Sequence, residues 1–373
     1  MGLALKLLLS SSQIPCLITP LIIFLVNPRA ILLRYNPTST IQLRQTSFDK
    51  SASTNAMRKA ALLYNPDSGG SKRRQRELES ALAVLRDGGV EAELVPTESK
   101  HHAGDEARLA LESGCDTIFA CGGDGTIHTI AQVLANSPAA LAVLPMGTAN
   151  ALAHDLGLPL KVAAAAKASL DYKPRRIALG RVACTDLRGN PRTRYFVVAA
   201  GIGVDAHLFY KLHSGTKQRM GMAAYYAKAW NLWLTYPMTR FVAEYVEAGS
   251  DAPRRAEVTE LLAVRIRHFG GVVQELAPGA SLDRDDMRLV CCRTGSRLAY
   301  LAYVTRGLLG LRWTIPGIDL AHSTRVSCQY REPSTASPKQ RKIYIEADGE
   351  LLGTLPVEIT VVPNALNLLA PPR

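Results

Sequence analysis

The sequence predicts a two-domain protein, with an α/β domain that contains a parallel sheet followed by an antiparallel β-sandwich. Three observations predict it: a length of 373 residues with 47% hydrophobic content, a regular alternation of strand and helix patterns up to about residue 177, and closely spaced strand patterns after that point. The first 56 residues fit neither domain, because a short apolar stretch is followed there by a polar run.

This leader, residues 1–56, is expected to lie outside the fold. Its apolar stretch, Ile14–Val26, contains two prolines and is shorter than the roughly 20 residues that span a bilayer as a helix. Lys6 precedes the stretch as in a signal peptide, but no A-x-A-like cleavage site follows. Met57 begins the first globular pattern, so a translated leader and a chain that starts at Met57 both stay open.

The first domain is predicted to span residues 57–178. The run KAALLY at Lys59–Tyr64 predicts a buried strand, and apolar positions at helical spacing predict an amphipathic helix over 71–86. The alternation continues with strands at 91–95, 116–120 and 140–144 and with helices at 103–113 and 127–136. Parallel sheets of this kind bind ligands at the carboxyl ends of their strands.

The second domain is predicted to span residues 179–373, and its patterns are mostly those of strands. Strands at short spacing with few helices between them favour an antiparallel sandwich or barrel. The predicted strands are Tyr195–Ala200, Phe241–Val246, Glu260–Ile266, Arg288–Cys292, Arg325–Gln329, Lys342–Ala347 and Val357–Val362.

The strongest local motif is the run Gly122-Gly123-Asp124-Gly125-Thr126 between a predicted strand and a predicted helix. Glycines let backbone amides approach a phosphate closely, and the helix N-terminus adds partial positive charge. A carboxylate among those glycines would repel a bare phosphate, so Asp124 indicates a cation at the site. The motif therefore predicts a magnesium nucleotide. A plain glycine turn that Asp124 caps is the alternative.

Two further loops at predicted strand ends offer glycine, small hydroxyls and amides, and Thr97 closes a third strand. A shared nucleotide cleft is expected from the loops Asn65–Gly70 and Pro145–Asn150.

Near the end of the chain, Asp348-Gly349-Glu350 follows a strand, and its two carboxylates can serve as general base and cation ligand, although D-G is also a common hairpin turn. The P-loop and protein-kinase signatures do not occur. The pattern Gly201-x-Gly203-x-x-Ala206 is interpreted as a structural turn.

Taken in order, these motifs resemble the diacylglycerol kinase catalytic family, which includes bacterial lipid kinases and sphingosine kinases. The resemblance covers about Met57 to the end of the chain. The matching segments are Asn65-Pro66, Gly122–Thr126, Pro145–Asn150, Leu156–Pro159, Gly201–Ala206 and Asp348–Glu350.

The resemblance implies a two-domain fold of the NAD kinase and diacylglycerol kinase type, with the last strands partly returning to the first domain. It implies an ATP-dependent lipid kinase that uses Mg²⁺ and phosphorylates diacylglycerol or a related lipid. The catalytic residues would be Glu350 as proton acceptor, Asp348 and Asp124. The nucleotide would contact Asn65, Thr97, Gly122, Gly123, Asp124, Gly125, Thr126, Gly147, Thr148 and Asn150.

Several positions depart from the family pattern. His128 and Thr129 stand where many members carry Asn-Glu, and Ala151 stands where many carry Asp. The acidic turn for a structural magnesium is replaced by Asp283-Arg284-Asp285-Asp286, so Asp124, Asp283 and Asp285 are the expected metal ligands. The departures bear on substrate and efficiency more than on nucleotide binding.

A cytoplasmic protein at the membrane surface is expected. The net charge of +12, most of it in the C-terminal half, is compatible with nucleic acid, an anionic membrane surface, an acidic substrate or a solvated face, and composition alone does not choose among them. Seven cysteines without a C-x-x-C pair favour a reducing compartment. Aromatic residues in Gln218–Tyr236 suggest membrane docking, or a core helix. The expected partners are a membrane lipid and the membrane itself, with no nucleic acid; a homodimer stays open.

Two rival functions remain: a soluble GGDGT kinase of the NAD or sugar type, and a non-catalytic nucleotide- or lipid-binding regulator.

Overall fold

A computed structural model describes residues 57–66, 72–98, 102–211, 230–270, 275–311, 313–331 and 342–372. The leader, the residues Asp67–Gly70 of the first predicted nucleotide loop, and most of the segment Gln218–Tyr236 lie outside these ranges.

The first half of the described chain is a parallel sheet with helices on both faces, as the alternation predicted. Its strands are ordered β4-β3-β1-β2, and all neighbouring pairs among them are parallel. The elements are β1 (Lys59–Tyr64), α1 (Lys72–Asp87), β2 (Glu91–Pro96), α2 (His102–Glu112), β3 (Thr117–Gly122), α3 (Asp124–Leu134), β4 (Ala140–Pro145), α4 (Ala151–Asp155) and α5 (Val162–Ser169).

Side-chain alternation along β1 explains why both faces are covered. Ala60 and Leu62 pack in a core that includes Leu78 of α1, whereas Ala61 and Leu63 pack in a second core that includes Ile127 of α3. Successive residues of a strand point to opposite faces, so a continuous apolar run needs a helix layer on each side.

The second half consists mainly of antiparallel strands that form two ladders, both of which start from one long strand. These elements are β5 (Lys173–Thr185), β6 (Pro191–Phe196), β7 (Ala199–Ile202), α6 (Val204–Lys211), β8 (Phe241–Val246), β9 (Pro253–Val258), β10 (Glu260–Val264), β11 (Met287–Cys292), α7 (Arg297–Leu309), β12 (Ile318–Ser323), β13 (Arg325–Tyr330), β14 (Tyr344–Ala347) and β15 (Glu350–Ala370).

One ladder runs β12-β11-β10-β7-β14-β15, and the other runs β9-β8-β13-β15. Their inner faces share one apolar core, to which Leu261 of the first ladder and Phe241 of the second both contribute. This arrangement is the predicted sandwich. Helix α7 was not predicted; Ser296 accepts a hydrogen bond from the Ala299 N–H at its start, and Gly310 ends it in the left-handed conformation.

Strand β15 joins the two halves of the fold. It pairs with β14, β13 and β5, and Asn367 and Leu368 then pair in parallel with Ala140 and Leu141 of β4. Strand β5 runs from Lys173 to Thr185 without a break, so it crosses the predicted domain boundary at residue 178 while paired to β15 along its length. Among the described residues, no helix is long and apolar enough to cross a membrane.

Candidate active site

The Gly122–Thr126 motif forms the link between β3 and α3 at the carboxyl edge of the parallel sheet. Gly123 precedes the helix in an extended conformation (φ −98°, ψ −172°), and no side chain caps the first turn. The first N–H groups of α3 therefore have no side-chain acceptor and carry the partial positive charge of a helix start. A phosphate group is the kind of ligand that such a turn accepts.

The Pro145–Asn150 loop packs directly against this turn. A Cβ atom on Gly147 would lie 2.4 Å from the Gly123 Cα atom, and one on Gly122 would lie 2.4 Å from Thr126 Oγ1. Only glycine allows the two backbones to approach this closely. The sequence prediction that these loops share one edge is therefore met in the geometry.

Two predicted nucleotide contacts have side chains that hold the protein's own backbone. The Asn150 amide accepts a hydrogen bond from the Gly147 N–H (2.8 Å) and donates to the Gly147 carbonyl (3.0 Å), with Asn150 in the left-handed conformation (φ 49°). The Thr97 hydroxyl donates to the Tyr64 carbonyl (3.2 Å), and Thr97 is buried. These side chains shape the loops, whereas Thr148 is exposed.

Asn65 lies at the end of β1, beside a cavity of about 130 Å³ that Arg74 and Met146 also line. Arg74 donates to the Met146 carbonyl (2.8 Å). This arginine places a positive charge at the strand ends, and the sequence reasoning did not single it out. The cluster Lys72-Arg73-Arg74 at the start of α1 was the available signal.

Asp124 is the first residue of α3, and part of its carboxylate is cut off from water. Burial raises the pKa of Asp124 to about 6, with the nearby Asp348 adding to the increase, while backbone N–H groups of Leu152 and Ala151 lower it. Its Oδ1 atom is buried without a hydrogen-bond partner in the described part of the chain. An orphaned carboxylate oxygen of this kind fits a cation ligand.

His128 lies one helical turn after Asp124, on the same face of α3. Its Nδ1 atom is 3.2 Å from Asp348 Oδ2, and its Nε2 atom is 3.9 Å from Glu350 Oε2. A turn further on, Gln132 exchanges hydrogen bonds with the Tyr195 backbone. One face of α3 therefore carries the contacts to the second half of the chain, which explains how distant motifs converge.

Asp348 and Gly349 form the two-residue turn between β14 and β15, with φ values of 47° and 82°. Two positive φ values in succession are typical of the type I′ hairpin turn that D-G favours. The side chains of Asp348 and Glu350 then differ in exposure, at 3% and 26%. Glu350 is the carboxylate that a substrate can reach.

The Asp348 carboxylate is almost fully occupied by hydrogen bonds. It accepts from the backbone N–H groups of Val197 (2.9 Å), Val198 (2.9 Å) and Ala199 (3.1 Å), and His128 adds a fourth contact. Three charge-assisted bonds to consecutive amides fix the hairpin against the start of β7. Asp348 therefore positions its neighbours, and the sequence reasoning had grouped it with the catalytic carboxylates.

Two of the departures from the family pattern have side chains that contact a helix or the apolar core. The Thr129 hydroxyl donates to the Gly125 carbonyl of its own helix (3.0 Å), and its methyl group faces Gly104 of α2. Ala151 is buried in the apolar core.

The expected metal ligands Asp283 and Asp285 are in another turn. Asp283 forms an ion pair with Arg175 and lines a cavity with Asp155 that Asp124 does not line. The backbone carbonyls of Arg284 and Asp286 accept from the buried Arg265 guanidinium. Across the described ranges, no group of three or more His, Cys, Asp or Glu side chains is placed to hold a metal ion. Their role as ligands stays a prediction.

The Gly201–Ala206 turn links β7 to α6, as a structural turn would. The helix start is filled by Glu260, whose carboxylate accepts from the Val204 N–H (2.9 Å) and the Asp205 N–H (3.3 Å). Burial raises the pKa values of Asp205, Glu260 and Glu346. A phosphate has no place at this turn, which argues against a dinucleotide site there.

Comparison with known proteins identifies the family. Residues 59–182 match the family model "Diacylglycerol kinase catalytic domain", and residues 197–370 match "YegS C-terminal NAD kinase beta sandwich-like domain". A diacylglycerol kinase of Bacillus subtilis is 28% identical over 322 residues, covering 84% of this chain and 97% of its own length. One of Staphylococcus epidermidis is 27% identical over 317 residues, covering 84% and 92%.

Solved structures agree on the fold. A crystal structure of a diacylglycerol kinase from Bacillus anthracis superposes with a TM-score of 0.61 at 17% identity and covers 85% of this chain and 98% of its own. The two family matches together span most of the described residues, and they agree in order with the parallel sheet and the sandwich. The chain belongs to the diacylglycerol kinase catalytic family and is a lipid kinase.

Proposed function

We propose that this lipid kinase transfers the γ-phosphate of ATP to the free hydroxyl of diacylglycerol or a closely related membrane lipid. One observation carries the proposal: Asp124 and His128 of α3 meet Asp348 and Glu350 of the hairpin beside the glycine turns. Phosphoryl transfer needs alignment, charge neutralisation and a proton acceptor. The curated relatives named diacylglycerol kinase support the choice of lipid.

Each side chain has a distinct role in this proposal. Glu350 takes the proton of the lipid hydroxyl, since it is the more exposed carboxylate of the hairpin. Amides of the Gly122–Thr126 turn bind the phosphates. Asp348, already bound to three N–H groups, holds the hairpin in place.

The residues present also fit Mg²⁺. Asp124 would hold the ion through its orphaned oxygen, and the ion would supply neutralisation of phosphate charge. Because Mg²⁺ usually keeps several waters and binds substrate phosphates, one or two protein carboxylates suffice. Asp283 and Asp285 are not required for this role.

His128 is assigned as a positioning residue. Its Nδ1 side faces Asp348 and its Nε2 atom faces Glu350 across 3.9 Å, without a hydrogen-bond partner among the described residues. The imidazole lies between the two carboxylates of the hairpin and so sets their position relative to α3. Replacement by Asn should therefore lower the rate of lipid phosphorylation more than the affinity for ATP.

Peripheral association with the cytoplasmic membrane surface is part of the proposal. The net charge of +12 supports attraction to anionic lipids. The six cysteines of the described part of the chain are all unbridged and buried, which is compatible with a reducing compartment.

The test compares two glutamates of β15. Glu350→Gln should reduce phosphate transfer from labelled ATP to diacylglycerol in mixed micelles by 10²–10⁴-fold, the usual contribution of a general base. Glu358→Gln is the matched control, because Glu358 lies on the same strand and pairs with Arg325; the rate of this variant should stay near wild type. Near-normal transfer by Glu350→Gln would contradict the assignment.

The rival functions are tested with the same protein. NAD, a sugar phosphate and diacylglycerol are offered in parallel with ATP and Mg²⁺. Faster phosphorylation of NAD or the sugar would replace the lipid proposal by a soluble kinase, and ATP binding without transfer to any lipid would favour a regulator.

A further inference from the structure

A cavity in the second half of the chain lies away from the active site. It has a volume of about 1080 Å³, between the β11–β12 ladder and helix α7, and none of the active-site residues lines it. Five arginines contribute to its wall against two acidic residues, Glu275 and Asp319. The arginines are Arg254, Arg267, Arg288, Arg293 and Arg306. We call it the arginine cavity.

Three of these arginines already have carboxylate partners. Arg254 pairs with Glu247 (2.8 Å), Arg267 with Glu275 (3.1 Å) and Arg293 with Asp319 (2.6 Å). All three guanidinium groups are about half exposed or more. Pairs of this kind are ordinary surface ion pairs and do not by themselves indicate a ligand.

Arg288 and Arg306 are different. Both Nε atoms are buried and have no hydrogen-bond partner, and no carboxylate of the described residues lies within ion-pair distance of either side chain. Arg306 is only 4% exposed; it donates to the Leu276 carbonyl (3.2 Å) and lies 4.3 Å from the centre of the Tyr303 ring. Burial lowers the pKa of Arg288.

Buried guanidinium nitrogens without a counter-charge cost free energy. The two acidic residues that favour the charge of Arg288, Asp286 and Glu247, are bound to Arg284 and Arg254 instead. An anion in the cavity would remove this cost, and guanidinium groups favour planar two-point recognition of phosphate. The wall therefore fits a phosphate-bearing ligand.

The rim of the cavity indicates that the phosphate belongs to a lipid. Trp313 lines the cavity and is 51% exposed, and Leu309 and Leu311, close to it in the chain, are also exposed. Tryptophan beside exposed leucines favours the boundary between headgroups and acyl chains. A free phosphate ion would have no use for this apolar rim.

We propose that the arginine cavity binds the phosphate of an anionic phospholipid in the membrane, with Arg288 and Arg306 on the headgroup and Trp313 in the interface. This places a lipid contact outside the segment Gln218–Tyr236, of which the described Trp233 is buried at 2% exposure. The inference goes beyond phosphoryl transfer and does not depend on it, because it concerns binding at a separate site.

The experiment uses the full chain and vesicles of phosphatidylcholine with or without phosphatidate. Arg288→Gln should weaken co-sedimentation with phosphatidate vesicles by at least about fivefold, the scale of one basic group at an anionic surface. Arg255→Gln removes the same charge from a residue of β9 that does not line the cavity, and should change binding by less than about twofold. Thermal unfolding shows whether both variants stay folded.

Two further measurements separate the sources of phosphate. Quenching of tryptophan fluorescence by brominated phosphatidate should be reduced in Trp313→Phe, and calorimetry with inorganic phosphate should show binding at least about tenfold weaker than binding to vesicles. Equal vesicle binding by folded Arg288→Gln and Arg255→Gln would overturn the site. Tight binding of inorganic phosphate without vesicle binding would overturn the lipid assignment.

Discussion

The Gly122–Thr126 turn and the Gly201–Ala206 turn both lead a buried strand through glycine into a helix with an aspartate near its start. At the first turn no side chain caps α3, and the Asp124 Oδ1 atom is left without a partner in the described part of the chain. At the second turn the Glu260 carboxylate accepts the N–H groups of Val204 and Asp205.

The difference teaches that a glycine turn binds an external anion only where the protein leaves its amides unoccupied. At the second turn the amides are occupied by a residue of the neighbouring strand, because Glu260 is the first residue of β10. The second turn is closed by the protein's own carboxylate and serves the fold. The first turn has neither a side-chain cap nor a partner for Asp124 Oδ1 among the described residues, as the proposed nucleotide site requires.

Among the variants that compare the two turns, the largest effect is expected from Asp124→Asn. If Asp124 organises Mg²⁺ on the nucleotide, this change should reduce lipid phosphorylation about a thousandfold, or about 4 kcal/mol of transition-state stabilisation. Asp105→Asn is the matched control: Asp105 also lies in the first turn of a helix but pairs with Arg108 at the surface. Steady-state rates in mixed micelles measure both, and equal rates would remove the distinction between the turns.

A smaller effect, on stability alone, is expected at the second turn. Glu260→Ala leaves two buried N–H groups without an acceptor and should reduce the free energy of unfolding by about 2–3 kcal/mol. Because burial and the neighbouring Asp205 raise the pKa of Glu260, its neutral form is favoured, so Glu260→Gln should cost less than about 1 kcal/mol. Urea unfolding measures the two values. If Glu260→Gln reduced the free energy of unfolding by more than about 1 kcal/mol, the turn would need a full negative charge.

The smallest effect is expected in the pH dependence of stability, to which Asp124 of the first turn contributes. The pKa of Asp124 is raised to about 6 from an ordinary value of 3.8, so the folded protein binds more protons than the unfolded chain between these values. Stability should therefore fall by on the order of 1 kcal/mol as pH rises from 4 to 6. Unfolding of wild type and Asp124→Asn across this range checks it, since the variant should lack this contribution.

The rate of lipid phosphorylation should rise with pH over the range in which stability falls. The ionised form of Asp124 is the one that holds a cation, so lipid phosphorylation should decrease as pH falls below about 6. Asp105→Asn should keep the wild-type profile. A rate that stays constant down to pH 5 would contradict the assigned role.

Much of the fold could be predicted because its strands have strong local patterns. Strand Phe241–Val246 has the predicted bounds, and the alternation before residue 177 gave the parallel sheet. Helix α7 was missed because its apolar residues lie on all sides of the helix: exposed Leu298 and Leu309 are mixed with buried Tyr300 and Tyr303, so no helical period stands out. Ser296 and Gly310 were the signals that could have found it.

The sequence could name candidate site residues, but it could not show which groups each of them contacts. Asp124 and Glu350 belong to short motifs, whereas the function of Asp348 depends on three amides far away in sequence, Val197–Ala199. The inward hydrogen bonds of Asn150 and Thr97 likewise follow from loop geometry. Single-sequence patterns report local chemistry; which partner satisfies each group is a property of the assembled chain.

Strand β15 has a consequence for how the protein is made. Residues at its far end supply the neighbour of β4 in the parallel sheet, although β4 leaves the ribosome long before β15 is synthesised. The nascent first half must therefore wait with an open sheet edge, the kind of surface on which chains aggregate. A nascent chain that stalls before Asn367 would expose that edge, and chaperone demand during translation should be concentrated in this interval.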